Sequence, residues 1–288
     1  MIRFIGCCVL WVGLCVANSF AMSDPESPND LRAGAPVSVR EPQPDGFIPR
    51  NPGPAVPSEQ NADLLTLVRE ANEDLYSSLQ SFVCKEEMRR FMGRINGQGI
   101  RQIDAITAKV SFENGVEHYT EIRQNERDRA SISNIPGAWS TGEFGTLLLQ
   151  TQILLKTQPV VFRGNADLDG TATAIYTVDI SEQNSPWDLV IRSEHFRIPF
   201  RTKIWVSKTN GHVLKIERAS MGVPEGKGIS GIHWGVTLEP VEMNGKSWLL
   251  PSTGEYTVLY EQSGRREWNE ITFSNYHRYG SEVALRFQ

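Results

Sequence analysis

Turn signals between apolar-alternating segments limit the fold of this 288-residue chain more than any other feature. They are Asn114-Gly115, Asp169-Gly170, Asn210-Gly211, Asn244-Gly245 and Ser263-Gly264. Asn-Gly and Asp-Gly supply the left-handed conformations that tight hairpins require. Strands joined by short turns pair antiparallel, and no regular strand–helix alternation indicates a parallel sheet. The predicted strands are 82–93, 101–113, 116–124, 160–166, 172–181, 188–194, 199–207, 212–220, 229–239, 247–260 and 266–278.

Two helices are predicted beside the strands. The first has an apolar stripe at three- and four-residue steps, formed by Leu64, Leu65, Val68, Ala71, Leu75 and Leu79. The second follows Ser140 and Glu143, whose spacing matches a capping box. Its stripe contains Leu147, Leu148, Thr151, Leu154 and Leu155. A helix with one apolar face must pack against a larger surface.

These elements predict an α+β, mainly β fold. It is a curved antiparallel sheet, an unclosed half-barrel, with two helices packed on its concave face. A two-sheet sandwich is the alternative, but it gives the helices no obvious role. Pro251 cannot donate a hydrogen bond to a strand ladder, so an irregularity or bulge is expected around 251–254, where it would bend the sheet.

The hairpin "PFRTKIWVSKTNGHVLKIERAS" allows a prediction of register. A two-residue turn at Asn210-Gly211 would place Ile204 and Val206 opposite charged residues. A three-residue loop, 209–211, instead pairs Ile204 with Ile216 and Val206 with Leu214, and the apolar pattern favours it. Gly211 is then left-handed. The opposite face of the hairpin carries Lys203, Trp205, Lys215 and Glu217.

The N-terminus predicts export. Residues 1–21 read as a signal peptide, with small residues at Ser19 and Ala21 before a cleavage site at Met22. The uncharged run 4–17 is shorter than the ~20 residues that span a bilayer, which disfavours an uncleaved anchor, and the cysteines at 7, 8 and 15 fit lipidation poorly. Residues 22–57 are a Pro-rich disordered tether, and 58–288 form one domain. We expect a periplasmic or secreted protein without a transmembrane segment after cleavage.

The net charge and the cysteine content limit which partners and which covalent links the chain can have. The net charge is −5, and after cleavage 28 basic and 34 acidic residues give −6, so nothing indicates a nucleic acid partner. One cysteine, Cys84, then remains. It cannot form an intramolecular disulfide, and we expect a small buried side chain. The chain is expected to be a monomer.

Catalytic and metal motifs are not found. "GKGISG" lacks the spacing of a nucleophile elbow, and the calcium-loop pattern at 165–176 ends at Tyr176 where a Glu is needed. The five histidines are dispersed. We therefore predict no enzyme activity, catalytic residue, metal site or cofactor. A structure that placed His195 or His233 beside carboxylates in a pocket would favour an enzyme instead.

The aromatic and aliphatic inventory fits either a packed core or a ligand groove between sheet and helices. The residues predicted to line such a groove are Leu147, Leu148, Leu154, Ile204, Val206, Leu214, Ile216 and Trp248.

Residues 200–217 (FRTKIWVSKTNGHVLKIE) and 245–260 (GKSWLLPSTGEYTVLY), with the signal peptide and first helix, resemble periplasmic lipoprotein carriers of the LolA/LolB type and RseB-like relatives. That resemblance implies a half-barrel that binds acyl chains or lipidated partners. The segments "LQSFVCKEEMRRF", "STGEFGTLL" and "FSNYHRYG" look more like uncharacterised exported proteins of acidobacteria-type bacteria.

The first hypothesis is an exported protein that binds or carries a lipid, acyl chain or lipoprotein in the groove. The alternative is a cell-envelope interaction or sensing module with a packed interior, no ligand and a protein partner.

Overall fold

The computed structural model describes residues 10–15, 59–80, 82–191, 194–261 and 264–278. Most of the predicted signal peptide and the tether at 22–57 lie outside these residues, so the proposed domain boundaries stay a prediction. Helix α1 spans Glu59–Leu79 and helix α2 spans Thr146–Thr157. Within the described ranges, no helix is long and apolar enough to span a membrane.

Fifteen strands occur among the described residues. They are β1 (Leu10–Cys15), β2 (Phe82–Arg94), β3 (Arg101–Glu113), β4 (Val116–Gln124), β5 (Arg127–Asp128), β6 (Gly137–Trp139), β7 (Val161–Leu168), β8 (Thr171–Ile180), β9 (Trp187–Ile191), β10 (Glu194–Arg197), β11 (Phe200–Ser207), β12 (Val213–Ser220), β13 (Ile229–Met243), β14 (Lys246–Tyr260) and β15 (Arg265–Arg278).

Eleven of these strands form one antiparallel sheet, in the order β5-β4-β3-β2-β15-β14-β13-β12-β11-β8-β7. The sheet is curved and does not close, which confirms the predicted half-barrel with two helices on it. Nearly every neighbour in sequence is also a neighbour in the sheet. Two adjacent pairs are not consecutive in the chain. They are β2 and β15, the first and last strands of this sheet along the chain, and β8 and β11, which β9 and β10 separate.

A second sheet of four strands, in the order β10-β9-β1-β6, was not predicted. The strand predicted at 188–194 corresponds to β9 and ends at the first residue of β10, which was not predicted and pairs antiparallel with β9. The three-residue strand β6 is too short for a period-two pattern to reveal. Strand β1 pairs parallel with β9, which brings the N-terminal segment into the second sheet.

Helix α2 begins later than the capping box predicts, because a different carboxylate caps it. The Ser140 hydroxyl donates to the Glu143 carboxylate rather than to a backbone amide. The caps come from Glu117 on β4, whose Oε1 accepts from the backbone N–H groups of Gly145 at 2.7 Å and Thr146 at 2.9 Å. An anionic cap suits the positive end of the helix dipole. The capping-box prediction is therefore wrong.

The hairpin β11–β12 confirms one predicted pair and corrects the other. Ile204 lies opposite Ile216, but Val206 lies opposite Val213, because the register shifts between Trp205 and Val206. Leu214 is the extra residue of this bulge and is only half-buried. Trp205 lies on the outer face as predicted, with the Lys203 ammonium 4.2 Å from the centroid of its ring.

Strand β14 contains the predicted irregularity. Thr253 pairs with Thr237 and Pro251 pairs with Leu238, so Ser252 is an extra residue in the ladder. The Tyr276 hydroxyl donates to the Pro251 carbonyl and fastens this point to β15.

Asn72 in α1 joins the first helix to the β11–β12 turn. The side chain is 1% exposed. Its Nδ2 donates to the Gly211 carbonyl at 3.4 Å, and its Oδ1 accepts from the backbone N–H of Val213 at 3.4 Å. Gly211 has a φ of 72°, and a Cβ there would lie 2.8 Å from the backbone of Leu67. The lack of a side chain at Gly211 therefore allows α1 to pack directly against this turn.

We expect Gly211→Ala to destabilise the protein more than Gly245→Ala. Both glycines have a φ of 72°, but nothing lies within 4 Å of the Cβ position at Gly245. Both variants bear a left-handed backbone cost of about 1–2 kcal/mol. The clash with α1 should add about 1–3 kcal/mol to Gly211→Ala. Urea unfolding measures the difference, and equal losses in both variants would contradict this packing.

Candidate functional site

The predicted groove residues divide into two groups. Six belong to one apolar core and are at most 6% exposed, namely Leu147, Leu148, Leu154, Ile204, Val206 and Ile216. Trp248 is half-buried and packs edge-on against Phe82, with ring centroids 5.2 Å apart. Leu214 is half-buried and lies outside that core. The chain itself thus covers the six core residues, and their role in binding stays a prediction.

A row of buried side chains crosses the concave face of the large sheet, one from each of seven adjacent strands. Direct pairing between neighbouring strands sets this row. Every member is at most 5% exposed, and every member carries a polar atom. The row, called the polar row below, is Thr202, Arg218, Trp234, Tyr256, Asn269, Arg90 and Asp104.

One end of the polar row is an ion pair with full hydrogen bonding. Arg90 donates to the Asp104 carboxylate through Nε at 2.6 Å and Nη2 at 2.5 Å. Its Nη1 donates to the Pro136 carbonyl at 2.8 Å. Burial alone would raise the pKa of Asp104, but hydrogen bonds from Arg90 and Gln124 outweigh it and hold the pKa below its usual value.

Near the middle of the polar row, side chains of β15 form hydrogen bonds with the backbone of β6. The Asn269 amide donates to the Ala138 carbonyl at 3.2 Å, and the buried Glu267 carboxylate accepts from the Ala138 backbone N–H at 3.2 Å. The second sheet is therefore attached to the large sheet through polar contacts.

The other end of the polar row is not satisfied within the protein. Arg218 is 0% exposed and donates through Nη1 to the Gln150 amide oxygen, whereas its Nε and Nη2 make no hydrogen bond. The guanidinium carbon lies 4.7 Å from the centroid of the Phe200 ring and 5.5 Å from that of Trp234. Burial lowers the pKa of Arg218 to about 9, so the group is still cationic at neutral pH.

Glu143 lies beside this end. Its Oε1 accepts from Ser140 and, at 2.6 Å, from the Trp234 indole, while Oε2 makes no hydrogen bond within the protein. Burial raises the pKa of Glu143 to about 7, against the lowering effect of the Ser140 hydrogen bond. Burial also holds the pKa of Glu86 well above its usual value, and the charges of Glu143 and Glu117 add to this. Glu143 is therefore proton-bound under mildly acidic conditions.

Strand β1 occupies a slot between β6 and β9. Leu10 lies opposite Trp187 and Leu14 opposite Ile191 in the parallel pair, and Gly13 lies opposite Trp139 in the antiparallel pair. On the two walls, Trp139, Trp187 and Ile191 are at most 3% exposed. We call the space between β6 and β9 the β6–β9 slot.

The β6–β9 slot begins close to Arg218. The centroid of the Trp187 ring lies 6.0 Å from that of Trp234 and 5.6 Å from that of Phe200, the two rings that flank the guanidinium. The indole N–H of Trp187 and the hydroxyl of Tyr256 make no hydrogen bond within the protein. Donors without a partner thus occur both at the slot and in the polar row.

The outer face holds histidines beside carboxylates, which the spacing in the sequence did not reveal. Ligand atoms of Glu217, His233 and Glu255, on β12, β13 and β14, lie within 4.8 Å of one another. Lys215 already pairs with Glu217 at 2.6 Å. His195 contacts Asp188 at 2.7 Å in an exposed position. His195 also lines an open cavity of about 600 Å³ together with Glu182 and Arg197. The dispersion of the histidines along the sequence is therefore no argument against an enzyme or a metal site, and the prediction of neither stays a prediction.

A cavity of about 590 Å³ also lies on the outer face, next to β2 and β3. Charged side chains of both signs line it, including Lys85, Lys109, Glu121 and Arg123. It does not match the predicted apolar groove. Cys84 contributes to the same wall but is 2% exposed, and burial raises the pKa of its thiol. The prediction of a small buried side chain is confirmed for Cys84.

Replacement of Asp104 should be far more costly than replacement of an exposed partner. Asp104→Asn leaves Arg90 buried with half its pair, and we expect a loss of about 3–5 kcal/mol of unfolding free energy. Asp179→Asn breaks the Arg201–Asp179 pair on the outer face and should cost less than about 1 kcal/mol. Urea unfolding at neutral pH compares them, and similar losses would refute the structural role of the buried pair.

Glu143 should make the protein less stable as pH rises. The folded state holds its proton more tightly than the unfolded chain, so stability should fall between about pH 4.5 and about pH 7. Glu143→Gln removes this contribution, so unfolding free energy should then decline less over the same range. Glu86 adds a contribution of the same sign, so some decline remains.

Urea unfolding at several pH values tests this expectation, with Glu113→Gln at the exposed end of β3 as the control. A decline that is unchanged in Glu143→Gln would show that the carboxyl is not the titrating group.

No protein-family model matches the chain, and no curated protein matches it in sequence. Solved structures are similar over most of its length. A DUF1329 family protein from Desulfovibrio piger covers 80% of this chain and 96% of its own, with 10% identity and a TM-score of 0.41. A protein described as an outer membrane lipoprotein-sorting domain, from Vibrio parahaemolyticus, covers 77% and 93%, with 10% identity and a TM-score of 0.38.

Lipoprotein LppX from Mycobacterium tuberculosis covers 78% of this chain and all of its own, with 12% identity and a TM-score of 0.25. One of these three structures is thus described as a lipoprotein-sorting domain. The resemblance to acidobacterial proteins is not tested. Because all three TM-scores are below 0.5, the functional proposal rests on the geometry of this chain.

Proposed function

We propose that the exported protein binds an extended apolar ligand, such as the acyl chain of a lipid or lipoprotein, in the β6–β9 slot. One observation carries this proposal. A purely apolar segment of the chain, Leu10–Cys15 (LWVGLC), lies as a strand in that slot, and the predicted cleavage before Met22 removes it. An apolar occupant that processing takes away leaves a site of matching chemistry in the mature protein.

The walls of the slot suit an acyl chain. Trp139, Trp187, Leu189 and Ile191 belong to the same contiguous apolar core as the six buried residues predicted to line a groove. Each methylene removed from water contributes about 0.8 kcal/mol. A chain of ten or more carbons therefore offsets the cost of association without any catalytic group.

A second candidate ligand is an extended peptide, which would make the protein an envelope interaction module. The observation that favours it is the backbone pairing of β1 with both walls, because strand addition satisfies the N–H and C=O groups of a sheet edge. An acyl chain cannot make these hydrogen bonds. The two candidates predict different competitors for the same slot.

Displacement of a fluorescent fatty acid tests the function. Protein purified from the cell envelope, with its N-terminus confirmed as Met22 by sequencing, should bind the probe. A synthetic peptide of residues 8–17 should displace it, because it contains the segment that fills the slot. Full-length protein made without export keeps Leu10–Cys15 and should bind the probe at least tenfold more weakly.

Absence of probe binding, together with no apolar species in native mass spectra, would refute the acyl-chain proposal. Binding of the peptide alone would support the interaction module. Equal probe binding by the processed and unprocessed proteins would place the ligand outside the β6–β9 slot.

A further inference from the structure

Arg218 is unusual because it is a buried cation without a charged partner. It follows Ile216 at the two-residue period of β12, so it points to the apolar face of the sheet. Among the described residues, no carboxylate forms an ion pair with it. A buried ion without a partner costs several kcal/mol even after relaxation. Two flanking aromatic rings offset part of that cost through cation–π attraction.

The two unsatisfied nitrogens of Arg218 form one edge of the guanidinium. They are Nε and Nη2. The same two atoms of Arg90 hold both oxygens of Asp104, and the same two of Arg201 hold both oxygens of Asp179. This edge matches a carboxylate in bidentate geometry. The chain thus supplies a carboxylate to two of these arginines and leaves the equivalent edge of the third unfilled.

The surroundings of that edge favour an anion. Thr202 and Trp187 each carry a donor that makes no hydrogen bond within the protein, and Tyr256, two strands away in the polar row, carries another. Glu267, which acts on Tyr256, already pairs with Arg265. Burial raises the pKa of Glu143 to about 7, so its negative charge is suppressed below neutral pH. A group that only accepts hydrogen bonds fits this set of donors best.

We propose that Arg218 binds the carboxylate head group of an amphipathic ligand whose apolar tail lies in the β6–β9 slot. This inference rests on the proposed function and adds the chemical class of the ligand, a fatty acid or another acyl chain with a terminal carboxylate. Trp187 connects the two parts, because it starts β9 at the slot and packs against both rings that flank Arg218.

Matched ligands that differ only in the head group test the inference. Envelope-purified protein is titrated calorimetrically with dodecanoate, dodecanol, dodecyl phosphate and acetate at pH 7. Wild type should bind dodecanoate at least tenfold more tightly than dodecanol, and acetate should bind far more weakly than dodecanoate. Arg218→Met should bind dodecanol as wild type does and lose the preference for dodecanoate.

Arg201→Met is the matched control, because that arginine has the same bidentate geometry on the outer face of β11 and should keep the preference. Circular dichroism establishes that each variant is folded. If Arg218→Met does not fold, Arg218→Lys replaces it. A lysine keeps the charge but cannot donate two parallel hydrogen bonds to a carboxylate, so this variant should show a smaller preference for dodecanoate.

The outcomes separate the two proposals. Equal binding of dodecanoate and dodecanol by wild type overturns the role of Arg218 and leaves the apolar slot intact. A preference for dodecyl phosphate over dodecanoate overturns the carboxylate assignment. Acetate that binds as tightly as dodecanoate overturns the amphipathic ligand. No binding of any twelve-carbon ligand overturns the proposed function itself.

Discussion

Removal of one face of an eleven-stranded sheet from water is the constraint on which the rest of this structure depends. An antiparallel sheet with one solvated face must bury the other against something. Here α1, α2 and the four-stranded sheet provide that cover. Asn72 attaches α1 to the β11–β12 turn, Glu117 attaches the start of α2 to β4, and Asn269 attaches β6 to β15. Each covering element is thus oriented by polar contacts at its margin and stabilised by apolar burial beneath it.

The polar row shows how such an interior tolerates charge. At Arg90 the charge is neutralised by Asp104 and by backbone carbonyls, so this end of the row is a structural joint. At Arg218, Nε and Nη2 make no hydrogen bond within the protein, and two aromatic rings lie beside the guanidinium instead of a counter-ion. Two buried arginines at nearly opposite ends of one row therefore have different roles. The first has a charged partner, whereas the second, which has none, makes the fold less stable than an apolar residue at that position would.

The strands could be predicted from the sequence because each hairpin is marked locally, by alternating apolar and polar residues and by the residues of its turn. Strand β3, at 101–113, was predicted to the residue. The second sheet could not be predicted in the same way, because β6 has three residues and β9 and β10 join it through contacts distant in sequence. The cap of α2 was missed for a related reason, since Glu117 lies 28 residues before Gly145.

No residue of the β6–β9 slot or of the polar row was among those predicted to line a groove. Alternation along β12 places Arg218 on the same face as Ile216, and that signal was present in the sequence, as was the matching position of Arg90 beside Met88. Whether such an arginine has a partner depends on strands far apart in the chain. The proximity of Glu217, His233 and Glu255 was hidden for the same reason, because three separate strands contribute them.

The position of β1 has a consequence for the timing of biogenesis. A signal segment must be accessible to the export machinery as an unpaired stretch. In the folded full-length chain, Leu10–Cys15 is hydrogen-bonded on both sides, to β6 and to β9. If residues 1–21 direct export, as the sequence predicts, a chain that folded in the cytoplasm would sequester part of its own signal peptide. Under that prediction, transport would have to precede formation of the second sheet, and slow closure of β6 and β9 would favour delivery.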